Sequence, residues 1–209
     1  MRTRWLVTVT AAETAGYLAP TLAGIFSERA GLSPGSQVLL LSAAGFIEGL
    51  ALGTGQAHAF PFQVRRVRYA LLTAAGAALV WASVMAMMAG WLPTAAVPLL
   101  ALGAVVAIGG AQWFELRHHC TRAYRWIGWT ALAWTLALPL SFAPAPLVDE
   151  STPLAVHVVA WTLGGALMAF VMAAITWQGV KRFVGYPYVT ASTLLPSGSS
   201  RNAAKYVGL

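Results

Sequence analysis

Apolar residues fill this chain in six long blocks, separated by short segments where arginine, glycine and proline collect. The blocks lie at residues 5–26, 38–58, 69–90, 96–116, 126–142 and 154–178. A helix rising 1.5 Å per residue needs roughly 20 residues to cross about 30 Å of hydrocarbon, and the blocks are of that length. The pattern therefore predicts an all-α, polytopic integral membrane protein, with six transmembrane helices in residues 1–183 arranged as three helical hairpins. Pro34, Pro93, Pro144, Pro146 and Pro153 fall in the connections at one end of the blocks, where they stop helices by removing a backbone donor. Trp5, Tyr69, Trp91, Trp126 and Trp177 fall at block ends, where an amphipathic ring suits the membrane interface. Residues 184–209, rich in Ser, Gly, Ala and Tyr, contain no run long enough to span and read as a cytoplasmic C-terminal tail.

Charge gives the blocks a direction. Twelve of the thirteen Lys and Arg residues lie in four segments: Arg2 and Arg4; Arg65, Arg66 and Arg68; Arg117, Arg122 and Arg125; Lys181, Arg182, Arg201 and Lys205. These alternate with the apolar blocks so that all four share one face, and only Arg29 lies elsewhere. Positive charge stays on the cytoplasmic side, so both termini are expected in the cytoplasm and the chain in the cell inner membrane. The net charge of +7 would suggest nucleic acid in a soluble protein, but here it is topological, and no nucleic-acid partner is expected. With 58 % hydrophobic and 9 % charged residues, the chain lies far from the roughly 25 % charged of soluble domains. The bilayer is the first partner, and homo-oligomerisation or a partner subunit is compatible with the pattern. The first block follows Arg2 and Arg4 as a signal peptide would, yet its length, with Glu13 and Pro20 inside it, reads as a retained span.

A repeat marks the cytoplasmic ends of the even-numbered blocks. LALGTGQ at 50–56, VAIGGAQ at 106–112 and MAAITWQ at 172–178 each place Ala five residues before Gln, which suggests three related hairpins. Gln56, Gln112 and Gln178 are then expected to form a polar ring at that end, and Gln56 and Gln112 join the candidate substrate-binding residues.

Ionisable groups inside hydrocarbon cost about 2.5 to 3.5 kcal/mol on insertion scales, so each one asks for a reason. Glu115 has His119 and Arg122 one and two turns on, and an interfacial ion cluster accounts for it. Glu13 and Glu48 have no such excuse. Glu13 lies eight residues past Trp5 and Glu48 ten before His58, which places them about 12 and 15 Å from the same face. On an antiparallel hairpin the two carboxyls meet, and two carboxylates in a low dielectric hold one shared proton more readily than two charges. Thr10 and Tyr17 flank Glu13 on its helix face and are candidate substrate-binding residues. Gly45, Gly49 and Gly53 form a small-residue stripe beside Glu48 that invites close approach by another helix.

Other chemistry finds no support. Cys120 is the sole cysteine, and His118 and His119 beside it point about 100° apart, so no metal site is expected. His58 and His157 lie at opposite ends of their spans, too far apart in depth for one haem, and no cofactor is expected. No phosphate loop, HExxH or GxSxG is present. Three readings stand open. In the leading one, a small transporter or permeation protein uses Glu13 and Glu48 to bind a proton or a cationic substrate. In the second, an intramembrane enzyme acts on a lipid or isoprenoid, with a carboxyl as general acid in terpene-cyclase-like chemistry. In the third, the chain is a non-catalytic membrane subunit or anchor.

Overall fold

Helix ends fall where proline, glycine and charge place them. The computed structural model describes residues 1–149 and 151–183, and the expected tail at 184–209 lies outside them. Six α-helices follow one another: α1 (Arg2–Arg29), α2 (Pro34–Ala59), α3 (Arg66–Met88), α4 (Val97–Leu116), α5 (Arg125–Ser141) and α6 (Leu154–Phe183). Short 3₁₀ turns at Thr94–Ala96 and Ala145–Leu147 lead into α4 and out of α5. Ser33 caps α2 by accepting the Ser36 N–H, and Pro34 takes the first helical position, where no backbone donor is needed. Gly31 and Gly90 take positive φ in the turns after α1 and α3. The apolar blocks match the helices to within a few residues, except that α1 and α6 run on into their basic ends.

Among the described residues four segments are long and apolar enough to cross a membrane: Pro34–Ala59, Arg66–Met88, Arg125–Leu147 and Leu154–Arg182. α1 is the most polar of the six, carrying Arg2, Arg4, Glu13, Glu28, Arg29 and five threonines among its 28 residues. Burial explains how α1 keeps that polarity: Glu13, Gly16, Tyr17 and Thr21 face inward, whereas Val7, Leu22 and Phe26 face outward and are half exposed or more.

The helices close into a ring. Each packs against its neighbours in sequence, and α6 returns onto α1. A glycine marks every seam, at a place where an added Cβ would come within about 3.0 Å of the facing helix: Gly16 against α2, Gly49 and Gly53 against α3, Gly76 against α4, Gly109 against α5, Gly164 against the end of α5, and Gly165 against α1. The stripe on α2 thus meets α3, and this is the most extensive seam. The seam joins two hairpins rather than the two arms of one.

Polarity in this ring is reversed from that of a water-soluble protein. Leu39, Leu79, Leu99, Leu102 and Leu163 are at least 60 % exposed, while Glu13, Gln56, Thr73, Gln112 and Thr176 are at most 1 % exposed. An apolar perimeter around an interior that also buries these polar groups is compatible with a multi-pass membrane protein, in which the perimeter faces lipid.

Candidate functional site

The inside of the ring divides into two layers along its axis. Toward the arginine-bearing helix ends lies a sealed floor. Gln112 Nε2 donates to Gln56 Oε1 at 2.8 Å and to Thr73 Oγ1 at 3.0 Å, Tyr69 Oη donates to Gln56 Oε1 at 2.9 Å, and Trp126 Nε1 donates to Gln112 Oε1 at 2.6 Å. Four helices, α2 to α5, are tied together by these bonds. Beneath them Trp5, Phe60, Tyr69 and Trp126 pack in tilted and edge-to-face pairs with ring centroids 5.1 to 6.1 Å apart, and Trp5 Nε1 donates to the Ala173 carbonyl of α6. Of the expected glutamine ring, two members are joined directly, while Gln178 is half-buried and contributes no bond to the pair.

Glu115 lies at the same end of the bundle. Its Oε1 accepts the Arg65 backbone N–H at 3.0 Å and faces His119 Nε2 at 2.7 Å, and Oε2 faces Arg68 Nε at 3.4 Å. Local partners account for this carboxylate, as its spacing from His119 suggests. Cys120, in the turn after α4, is buried, and that burial pushes its thiol up to about 12.

Above the floor, toward the opposite helix ends, Glu13 and Glu48 face one another from α1 and α2. Two glycines set them in place. Gly16, one turn from Glu13, lies against the Glu48 backbone, where a Cβ would sit 3.0 Å from the Glu48 carbonyl oxygen. Gly45, one turn from Glu48, leaves the space occupied by Trp81, since a Cβ there would come 2.0 Å from Trp81 Cδ1. The indole of Trp81 thereby lies across α2, and its Nε1 donates to Glu48 Oε2 at 2.7 Å. No such donor reaches Glu13, which is 0 % exposed with both oxygens unpartnered among the described residues. Facing carboxylates have no hydrogen to share, so the pair is satisfied only by a proton or by a cation placed between them.

A cavity of about 240 Å³ opens from this pair and is lined from all six helices. Its walls are almost wholly apolar, and Tyr17, Trp81, Trp134 and Met168 are among the residues that line it. Leu138 and Phe142, 39 % and 57 % exposed, mark its far end toward the surface. Tyr17 lies over Gly165, where a Cβ would come 2.2 Å from its ring, and its hydroxyl is within hydrogen-bonding reach of Ser141. The geometry sorts the sequence candidates. Glu13, Glu48 and Tyr17 line the cavity, Gln56 and Gln112 build the floor beneath it, and half-buried Thr10 lies outside the lining. Trp81 and Trp134 read as packing residues from composition alone. The signal for Trp81 is the pairing of a notch at Gly45 with a large donor at matching depth on α3. Among the described residues no three metal-ligating side chains converge.

No protein-family model matches this chain, and no curated protein or solved structure shows significant similarity to it.

Proposed function

We propose that this chain is a six-span membrane protein with cytoplasmic termini that binds small amphiphilic cations at Glu13 and Glu48 in exchange for a proton, as a small transporter does. The observation that carries the reading is Glu13, a fully buried carboxyl with neither oxygen partnered, facing a second carboxyl at the end of an apolar cavity. Such a site stays neutral by holding a proton or a cation, and its aromatic walls favour a cation whose charge sits on a hydrophobic body. Competition between the two for one pair of carboxyls is the elementary requirement for proton-coupled exchange. The six spans draw support from the lipid-compatible perimeter, to which α1 contributes Val7, Leu22 and Phe26 and α4 contributes Leu99 and Leu102. Orientation rests on the basic residues gathered at one end of the ring and on their expected retention in the cytoplasm.

Binding of nonyltrimethylammonium to the purified protein in detergent tests this reading. Affinity is expected to weaken as pH falls, because protons then occupy the pair, and Glu13→Gln is expected to abolish binding without lowering thermal stability. Binding that is indifferent to both pH and Glu13 contradicts the proposal.

One observation favours a second reading. None of the floor's hydrogen-bonded side chains is in the cavity lining, and an apolar chamber stopping above that floor also suits an intramembrane enzyme in which a protonated carboxyl acts as general acid on an isoprenoid or lipid. Mass spectrometry of a lipid extract incubated with the protein separates the two readings. Glu13-dependent conversion of a lipid species supports the enzyme, and an unchanged extract supports binding and transport.

A further inference from the structure

A second unpartnered polar group belongs to another residue that lines the same cavity. Trp134, on α5, is 9 % exposed, lines the chamber, and its Nε1–H meets no acceptor among the described residues. Trp81 makes the contrast plain, because its indole lines the same chamber and its N–H is used on Glu48. Helices α1 and α5 meet through Trp5 with Trp126 and Tyr17 with Ser141, α6 packs against both, and Glu13 and Trp134 are each without a hydrogen-bond partner among the described residues. Glu13 and Trp134 therefore do not satisfy each other. One lacks a donor or a cation, and the other lacks an acceptor.

Resting on the cation-binding reading above, we infer that the ligand class is an amphiphilic amine or quaternary ammonium that also carries an acceptor oxygen, with its positive end at Glu13 and its oxygen accepting from Trp134 Nε1. A buried N–H left without an acceptor is destabilising, and a ligand oxygen placed there recovers part of that cost. A neutral hydrogen bond of this kind corresponds to roughly tenfold in affinity. The carboxyl pair supplies attraction to the charge, and the indole selects among cations by demanding a carbonyl, ester, ether or hydroxyl at one distance from it. A site built to bond a polar group discriminates against ligands lacking it more sharply than an apolar wall discriminates by size. Trp134 is on this account the specificity-determining residue of the chamber.

Two probes of equal charge and chain length separate the contributions: hexanoylcholine, which carries an ester, and nonyltrimethylammonium, which does not. Dissociation constants are measured for both with the full chain, with Trp134→Phe and with Glu13→Gln. The full chain is expected to prefer the ester about tenfold. Trp134→Phe keeps an aromatic ring and removes the N–H, and is expected to erase that preference by weakening the ester while changing the alkyl probe less than twofold. Equal affinities in the full chain, or a preference that survives Trp134→Phe, overturn the inference and leave the carboxyl-pair reading standing. Failure of both probes to bind, or binding of both that Glu13→Gln leaves intact, overturns the carboxyl-pair reading and the inference with it.

Discussion

The floor and the acid pair are both polar clusters buried inside the same ring, yet they obey opposite rules. At the floor, both polar atoms of the Gln112 amide, the Gln56 carbonyl oxygen and the Trp126 N–H are bonded. One layer up, Glu13 has two unpartnered oxygens and Trp134 an unpartnered N–H among the described residues, and both residues line a cavity. A satisfied buried network fixes how helices meet, whereas groups left unsatisfied around a space are held ready for something that enters it. The same residue types thus serve as mortar in one layer and as a site in the other.

Substitutions should separate the layers by what they damage. The largest effect is expected from Glu13→Gln, which removes the titratable partner of Glu48: cation affinity falls at least a hundredfold while the unfolding temperature in detergent holds or rises. A drop in unfolding temperature comparable to that of floor variants would place Glu13 among the structural groups. Next comes Gly45→Leu, whose side chain occupies the space of the Trp81 indole and frees Glu48 Oε2 from its donor. Overpacking of this kind costs about 1 to 3 kcal/mol, so both stability and binding should fall, read by thermal unfolding and by titration of the cation.

Gln112→Leu reverses the profile. It removes the bonds from α4 to Gln56, Thr73 and Trp126 and so loosens α4 from α2, α3 and α5, at about 0.6 kcal/mol per interhelical bond and up to 1.7. Unfolding temperature should drop while the cation dissociation constant moves less than threefold; a larger change would tie the floor to the site. The smallest effect concerns Cys120. With its thiol near 12, only about one part in ten thousand is thiolate at pH 8, so iodoacetamide should leave the native protein unmodified and label it once it is unfolded. Fast labelling of the native protein would show that the turn after α4 opens.

Much of the ring is legible in the sequence because membrane helices follow from length and hydrophobicity alone. The apolar blocks locate all six helices, and the small-residue stripe on α2 announces its close seam. Glu13 and Glu48 are legible as a pair because a membrane gives no other reason for their depth. What is not legible depends on rotation about helix axes. Gln56 and Gln112 share a motif with Gln178, yet only the first two meet, because the motif fixes depth and not facing. Thr10 and Tyr17 bracket Glu13 at helical spacing, but only Tyr17 reaches the cavity. Trp81 and Trp134 look alike in composition, and only packing reveals that one N–H is bonded and the other is free.

Proton counting tests the exchange most directly. Nonyltrimethylammonium is added to the protein in weakly buffered detergent solution at a pH where the pair holds its shared proton, and protons released are followed with a pH indicator. The account predicts release approaching one proton per cation bound, absent in Glu13→Gln. Binding without proton release, or release that Glu13→Gln leaves unchanged, would contradict it.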